Sequence, residues 1–476
     1  MAENTERPSP SDLMQPSLLG EAVSPEETFD PSDGTRTEKD VRSPSGDSKT
    51  KNPGSRKKPR SSDRSRAKAQ STEDGGFELE RRVGRLEFAE GALVRLRVPV
   101  RVEASSGRDV MTDLDVLAID VDLRLRLSRS ILECKSTVGE AGEPDRLLWL
   151  CGLRTFVNAD RSVLVRPTVS KRGRAVAEKL KVQVLDIEKL EARETAHAWL
   201  PDTFAHVGGN ECTNAERRAS NQLKGTPEFV PQLFQFLRDD APLASSHQIV
   251  SALNALGNQT AKGVQFPEPA RTVLAGHTLI ALLVAATIDA QDLDVLTTEE
   301  LKRRLQLTLT LGDSNDETLL ELFSSADALM KHLINQVHER YKVQGATRIE
   351  MSVPSLRDVI SEPPSWIPRY LDLIEQMRAN PTIARDILQT AELSCFEAFL
   401  GGRAHESRAF DHLFTVEHRQ LLRLAVRTVK AIIGADLADT LGQGFAKLNF
   451  NRKPPELPDR QSSPVNEVST AELAIE

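Results

Sequence analysis

Asp113–Lys135 reads DLDVLAIDVDLRLRLSRSILECK, and the interpretation of the whole chain turns on it. An acidic pair, Asp113 and Asp115, enters the apolar run Val116–Ile119, and Glu133-Cys134-Lys135 closes a later apolar run. A β-strand points alternate side chains to opposite faces. Asp113 and Asp115 therefore share one face, and so do Glu133 and Lys135, while Cys134 turns to the other. If the two strands are neighbours, two or three carboxylates and one ammonium converge on a small area. That is the oxygen-rich setting a hard dication such as Mg2+ requires. The same residues also fit an ordinary strand pair with surface carboxylates, so the elements around them must decide.

Upstream, FELERRVGRLEFAEG places Phe77, Val83, Leu86 and Ala89 at helical spacing, with Gly91 where a helix would stop. Next, Val94, Leu96, Val98, Val100 and Val102 alternate with Arg95, Arg97, Pro99 and Arg101, the mark of a half-buried strand. Pro99 cannot donate to a ladder and points to an edge or a bulge. SSGRD turns the chain into the Asp113/Asp115 strand. A further alternation, Leu123, Leu125 and Leu127 against Arg124 and Arg126, reads as the start of the strand that ends in ILECK. A helix over about 145–157, the strand SVLVRP, the helix SKRGRAVAEKL and the strand VQVLDI follow. The order is helix, three strands, helix, strand, helix, strand, which implies an α/β layer arrangement.

An Asp before an apolar strand followed by Glu-X-Lys on the next one resembles the PD-(D/E)XK superfamily of restriction-endonuclease-like nucleases, whose core is likewise helix, three strands, helix, strand. The resemblance covers 77–190, roughly a quarter of the chain. It implies an α/β restriction-endonuclease-like core in αβββαβ order. It also implies a metal-dependent endo- or exonuclease, using Mg2+ or Mn2+, with DNA favoured over RNA as substrate and a setting in restriction, repair or defence. On this resemblance Asp115 and Glu133 are metal ligands, with the Cys134 backbone carbonyl as a third. Lys135 orients and activates the attacking water. Asp113 stays open, either as an outer ligand or as the metal-binding Asp in place of Asp115. Glu80 is the helix glutamate that reaches such sites, with Glu87, seven residues on, the weaker choice. The sequence departs from the pattern where Met111-Thr112, not Pro, precedes the acidic pair. The alternative is a nuclease-like scaffold without activity, because a fold does not fix a function.

With 476 residues and net charge −8, the chain has room for two or three domains. Only 39% of residues are hydrophobic and 4% aromatic, so part of the chain should be disordered. That part is 1–75, rich in Ser, Pro, Gly and charge. Its acidic start gives way to a basic run in which Lys57, Lys58 and Arg60 stand among eight cations against a lone Asp63. Such an arm either tethers nucleic acid through its phosphates or is a solvated linker. The nuclease-like domain spans 76–196, a helical accessory domain 201–450 and a Pro-rich disordered tail 451–476. Cys134, Cys151, Cys212 and Cys395 form no CxxC pair, and the first residues have no apolar leader. Both favour a cytoplasmic setting without a cysteine-based zinc site.

In the all-α C-terminal region, Thr297-x-x-Glu300 and Ser314-x-x-Glu317 match capping boxes. The apolar run 273–288 is shorter than the roughly 20 residues of a membrane span and reads as a buried helix. A helix from about Asp316 gathers Leu319, Leu322, Phe323, Ala326, Met330, Leu333, Val337 and Tyr341 on one face. In HRQLLRLAVRTVKAII, Arg419, Arg423, Arg427 and Lys430 form a stripe opposite Leu422, Val426, Val429 and Ile433. The stripe is either a phosphate contact or the solvated side of an amphipathic helix, and the second reading is preferred. The nine histidines show no metal-binding spacing, since His332 and His338, like His412 and His418, stand six apart. No GxxxxGK(S/T) loop is present. The expected partners are nucleic acid, a second copy of the chain, and a protein bound by the helical domain, with no membrane.

Overall fold

The computed structural model describes residues 62–104, 107–136, 142–292, 295–311, 317–345 and 364–452. Helix α1 (Ser62–Ala89) is followed by strands β1 (Leu93–Ala104), β2 (Gly107–Val121) and β3 (Leu127–Cys134). Then come α2 (Glu143–Phe156), β4 (Arg161–Arg166), α3 (Lys171–Lys179), β5 (Gln183–Asp186) and α4 (Ile187–Thr195). The five strands form one mixed sheet in the order β1-β2-β3-β4-β5. The first three make an antiparallel meander, and β3, β4 and β5 run parallel. α2 and α3 supply the crossovers that parallel strands need. α1 lies on β1 closely enough that a Cβ on Gly84 would stand 3.0 Å from Leu96 and 3.1 Å from Val94.

Beyond residue 200 the described residues contain no strand apart from isolated bridges at Phe204. The helices are α5 (Asn210–Lys224), α6 (Pro231–Gln235), α7 (Ser246–Thr260), α8 (Ala270–Asp292), α9 (Thr298–Leu311) and α10 (Glu317–Val343). They continue with α11 (Ile367–Ala379), α12 (Pro381–Leu393), α13 (Val416–Ile433) and α14 (Ala435–Lys447). π-helical turns continue α6 over Phe236–Asp240 and α12 over Ser394–Ala398. α8 is the one described helix long and apolar enough to cross a membrane, and 94% of its apolar window is packed inside the protein. Sheet and helices share one hydrophobic core that runs from Leu79 to Phe450. The change near residue 200 is thus one of architecture within a common core.

Three expectations need correction. The alternation over Leu123–Leu127 is a turn, with β3 beginning only at Leu127. Asp122 Oδ1 accepts the backbone N–H of Arg124 (2.7 Å) and Arg126 (2.9 Å), and Leu125 has φ +60°. A short carboxylate that caps its own turn outcompetes the strand pattern. In β1, the arginine side of the alternation does not face water throughout. Arg95 is buried against Glu392 (2.8 Å), and Arg101 pairs with Asp239 (2.7 Å) and Asp240 (2.9 Å) of the first π turn. β1 is nevertheless the edge strand that Pro99 suggested, with a register shift at Val100/Arg101. Lastly, α1 begins at Ser62, earlier than the change of texture at Phe77 suggested.

Other expectations stand. Thr297 and Glu300 cap α9 reciprocally, through Thr297 N–H to Glu300 Oε2 (2.8 Å) and Glu300 N–H to Thr297 Oγ1 (3.3 Å). Ser314 lies outside the described residues. α13 buries Leu422, Val429 and Ile433 while Arg423, Arg427 and Lys430 are exposed and Arg419 is half-buried. On the expected face of α10, Leu322, Leu333, Val337 and Tyr341 are exposed while Phe323, Ala326 and Met330 are half-buried.

Candidate functional site

The meander brings Asp115 and Glu133 face to face. The last ladder pair between β2 and β3 is Val116 with Leu132, and one residue further along the same antiparallel register stand Asp115 and Glu133. Asp115 Oδ2 accepts the Cys134 backbone N–H at 2.7 Å. Lys135, whose N–H donates to Val165 O (2.9 Å), reaches back to both carboxylates. Its Nζ lies 2.5 Å from Glu133 Oε1 and 3.7 Å from Asp115 Oδ2. The pleat thus delivers the two acids and the lysine to one place. Glu133 is 2% exposed as a residue, whereas Asp115 and Lys135 keep an open side.

Glu80 joins from α1. It is buried and pairs with Arg97, with Nε 2.8 Å and Nη2 3.4 Å from its oxygens. Arg97 sits opposite Asp115 in β1, between the pairs Leu96–Val116 and Val98–Leu114, and its own pairing is skipped. Its φ of +53° is a left-handed value that costs a side-chain-bearing residue energy, and its guanidinium lies 4.8 Å from the Phe77 ring. Sparse backbone conformations of this kind cluster at functional sites. Glu87, the weaker choice for the helix acid, is excluded from the cluster because it pairs with Arg161 (2.5 Å). Asp113 lies on the exposed outer part of β2 opposite Pro99. Lys57, Lys58 and Arg60 fall outside the described residues.

Within the cluster Asp115 is the least compensated acid, its nearest ammonium standing 3.7 Å away at Lys135. Burial, together with the neighbouring Glu133 carboxylate and a smaller push from Glu80, raises Asp115 to about 6, against the pull of Lys135 and the Cys134 N–H. Burial and the same three acids raise the Cys134 thiol well above its usual value. A dication held by Asp115, Glu133 and the Cys134 carbonyl would relieve that repulsion, so these donors suit a hard metal. Sequence reading did not anticipate Arg146. From α2 its Nη2 touches Glu133 Oε1, and its guanidinium stacks 4.1 Å from the Trp149 ring. Arg146 opens the first turns of a helix whose start the reading placed nearby, yet nothing in its spacing ties it to Glu133.

The nine histidines show no metal-binding spacing along the chain, yet two of them meet in space in a second cluster. His206, in the segment joining sheet to helices, and His277 of α8 meet at Glu216 of α5. Glu216 Oε1 lies 3.0 Å from His206 Nε2 and 2.7 Å from His277 Nε2. His206 Nδ1 stands 2.5 Å from Glu392 Oε1, and Arg95 backs the other oxygen of that carboxylate at 2.8 Å. Burial drives His277 down to about 4. Burial also opposes ionisation of Glu216, but the two imidazoles hold it well below the usual carboxylate range. Local spacing cannot reveal partners that come from three different elements.

Compared with known proteins, the chain matches no family model, no curated protein and no solved structure.

Proposed function

We propose that the chain is a metal-dependent nuclease of the PD-(D/E)XK type that hydrolyses phosphodiester bonds in nucleic acid, with DNA the favoured substrate. The observation that carries this is the convergence of Asp115, Glu133 and Lys135 within salt-bridge distance at the meeting of β2 and β3. Support also comes from the antiparallel meander that runs into parallel strands, and from the placement of Glu80 on the helix before it. Asp115, Glu133 and the Cys134 carbonyl would hold Mg2+ or Mn2+. Such an ion, when bound, neutralises phosphate charge and makes water an effective nucleophile near neutral pH. The chain's own residues have separate tasks. The Cys134 N–H fixes one Asp115 oxygen and leaves the other for a ligand. Lys135 Nζ, shared between the two acids, orients the attacking water and stabilises charge that builds on the phosphate. Arg97 anchors Glu80 at the rim.

One observation favours the alternative, a nuclease-like scaffold without activity that binds a partner through its helices. Arg146 and Lys135 together already neutralise Glu133, so its carboxylate is compensated without a metal. A cleavage assay on labelled single- and double-stranded DNA and RNA separates the two. The nuclease reading expects Mg2+- or Mn2+-dependent cutting that is lost in Asp115→Ala, Glu133→Ala and Lys135→Ala. Absence of cutting by the wild type, or equal cutting by the variants, leaves the scaffold.

A further inference from the structure

We propose that His206, Glu216 and His277 form a second metal site, separate from the acidic cluster, that takes a zinc-class dication and fastens the joining segment to the helices. Their ligand atoms all lie within 4.8 Å of one another, and Glu216 Oε1 sits between the two Nε2 atoms. A tetrahedral zinc ion with bonds of about 2.0–2.1 Å replaces that arrangement with small side-chain movements. Two imidazoles and one carboxylate are a borderline donor set that suits zinc, not the all-oxygen set of Mg2+. A fourth position remains for water or for the buried Cys212, one turn before Glu216 on α5.

The surroundings are those of a metal-ligating histidine. Such a residue commonly donates its other ring N–H to a carboxylate, which fixes the tautomer and aims the free nitrogen at the ion. Glu392 does this for His206 Nδ1 at 2.5 Å, and Arg95 in turn positions Glu392. Arg95 is 5% exposed at the side chain, and its Nε and Nη2 find no hydrogen-bond partner among the described residues. It is held there for its charge beside Glu392. Aromatic walls fix both rings, with the Phe396 centroid 4.4 Å from His206 and 4.6 Å from His277. Gly276 allows this approach, since a Cβ there would stand 2.9 Å from the Phe396 ring. Phe396 lies on the π turn of Ser394–Ala398, a feature frequent at functional sites. The cluster is not sealed, because the side chains of His206 and Glu216 are 10% and 18% exposed and leave a route for an ion.

The charge balance is consistent. Without a metal, Glu216 accepts from two nitrogens, so both rings must carry a proton on Nε2 while His206 also donates from Nδ1 to Glu392. For Nε2 of both rings to ligate, His206 releases its Nε2 proton to solvent and keeps Nδ1–H on Glu392, while the neutral His277 moves its single proton to Nδ1. The ligands come from the joining segment, α5 and α8, so the ion would pin the start of the helical region next to β1.

The test uses the full chain, stripped with chelator and then loaded with Zn2+ or Co2+, and does not depend on the cleavage reading. The proposal expects one zinc per chain retained through gel filtration and visible absorption bands of four-coordinate Co2+. Both should persist in Asp115→Ala. His277→Gln and Glu216→Gln should abolish them, and Glu392→Gln should weaken binding by about 10- to 100-fold. Wild-type chain that is folded yet holds no stoichiometric zinc and shows no cobalt bands overturns the proposal, whether or not the variants fold. Loss of the zinc in Asp115→Ala, with retention in His277→Gln, assigns it to the acidic cluster and overturns the proposal equally.

Discussion

Replacing Asp115 by Asn should stabilise the metal-free protein while destroying the site. In the fold Asp115 is raised from 3.8 to about 6, chiefly by burial and then by Glu133. Because the folded value lies above the unfolded one, the folded state binds the extra proton between pH 3.8 and 6, and stability falls as pH rises through that window. Above pH 6 the ionised carboxylate is a standing cost. The rise from 3.8 to about 6 corresponds to roughly 3 kcal/mol, and with the side chain 19% exposed the cost is about 1–3 kcal/mol. Asn keeps an oxygen for the Cys134 N–H, so the substitution removes charge without leaving that donor unpaired. Urea unfolding in the presence of a chelator should show Asp115→Asn more stable than wild type at pH 7.5, with the difference shrinking below pH 6 and gone below about pH 4. Adding Mg2+ should stabilise the wild type alone, by about 2.7 kcal/mol at a hundred times its Kd. A variant that is equally or less stable at pH 7.5 without metal would refute the view that the buried, ionised Asp115 is a cost to the metal-free fold.

Other substitutions probe the frame around the site. Gln389 of α12 donates to the carbonyls of Phe88 (2.6 Å) and Ala92 (3.1 Å) at the turn between α1 and β1. Gln389→Ala should cost about 1–3 kcal/mol in urea unfolding, since it leaves buried acceptors unpaired. At Arg97 the left-handed φ predicts that Arg97→Gly is more stable than Arg97→Ala by about 1 kcal/mol, although both lose the pair with Glu80. A Cβ at Gly173 would collide with the Glu143 carboxylate, which accepts from Ser170 Oγ at 2.5 Å at the start of α3. Gly173→Ala should therefore lower the thermal midpoint, although alanine is the better helix former.

The sequence disclosed most where chemistry and periodicity coincide over a few residues. The period of two placed Glu133 and Lys135 on one face, and the pairing of β2 with β3 that the sequence left conditional sets Asp115 beside them. Glu80 and Glu87 stand on one helix, and the sequence preferred Glu80; the structure adds that Glu87 is held by Arg161, which no spacing announced. Arg95 and Arg101 read as solvent-facing because an arginine in a strand usually is. Here their acids, Glu392, Asp239 and Asp240, lie well over a hundred residues away and turn a polar side into a packed one. The histidine cluster was hidden for the same reason, since no window on the sequence contains His206, Glu216 and His277 as neighbours in space.

The most direct test of the central claim reads Mn2+ occupancy and DNA cleavage in the same samples, comparing wild type with Lys135→Ala. Mn2+ bound at the acidic cluster should appear in the electron paramagnetic resonance of both proteins, because Asp115, Glu133 and the Cys134 carbonyl remain. Only the wild type should cut. Wild-type protein that holds Mn2+ without cutting, or Lys135→Ala that cuts as well as wild type, would contradict the assignment of catalysis to this cluster.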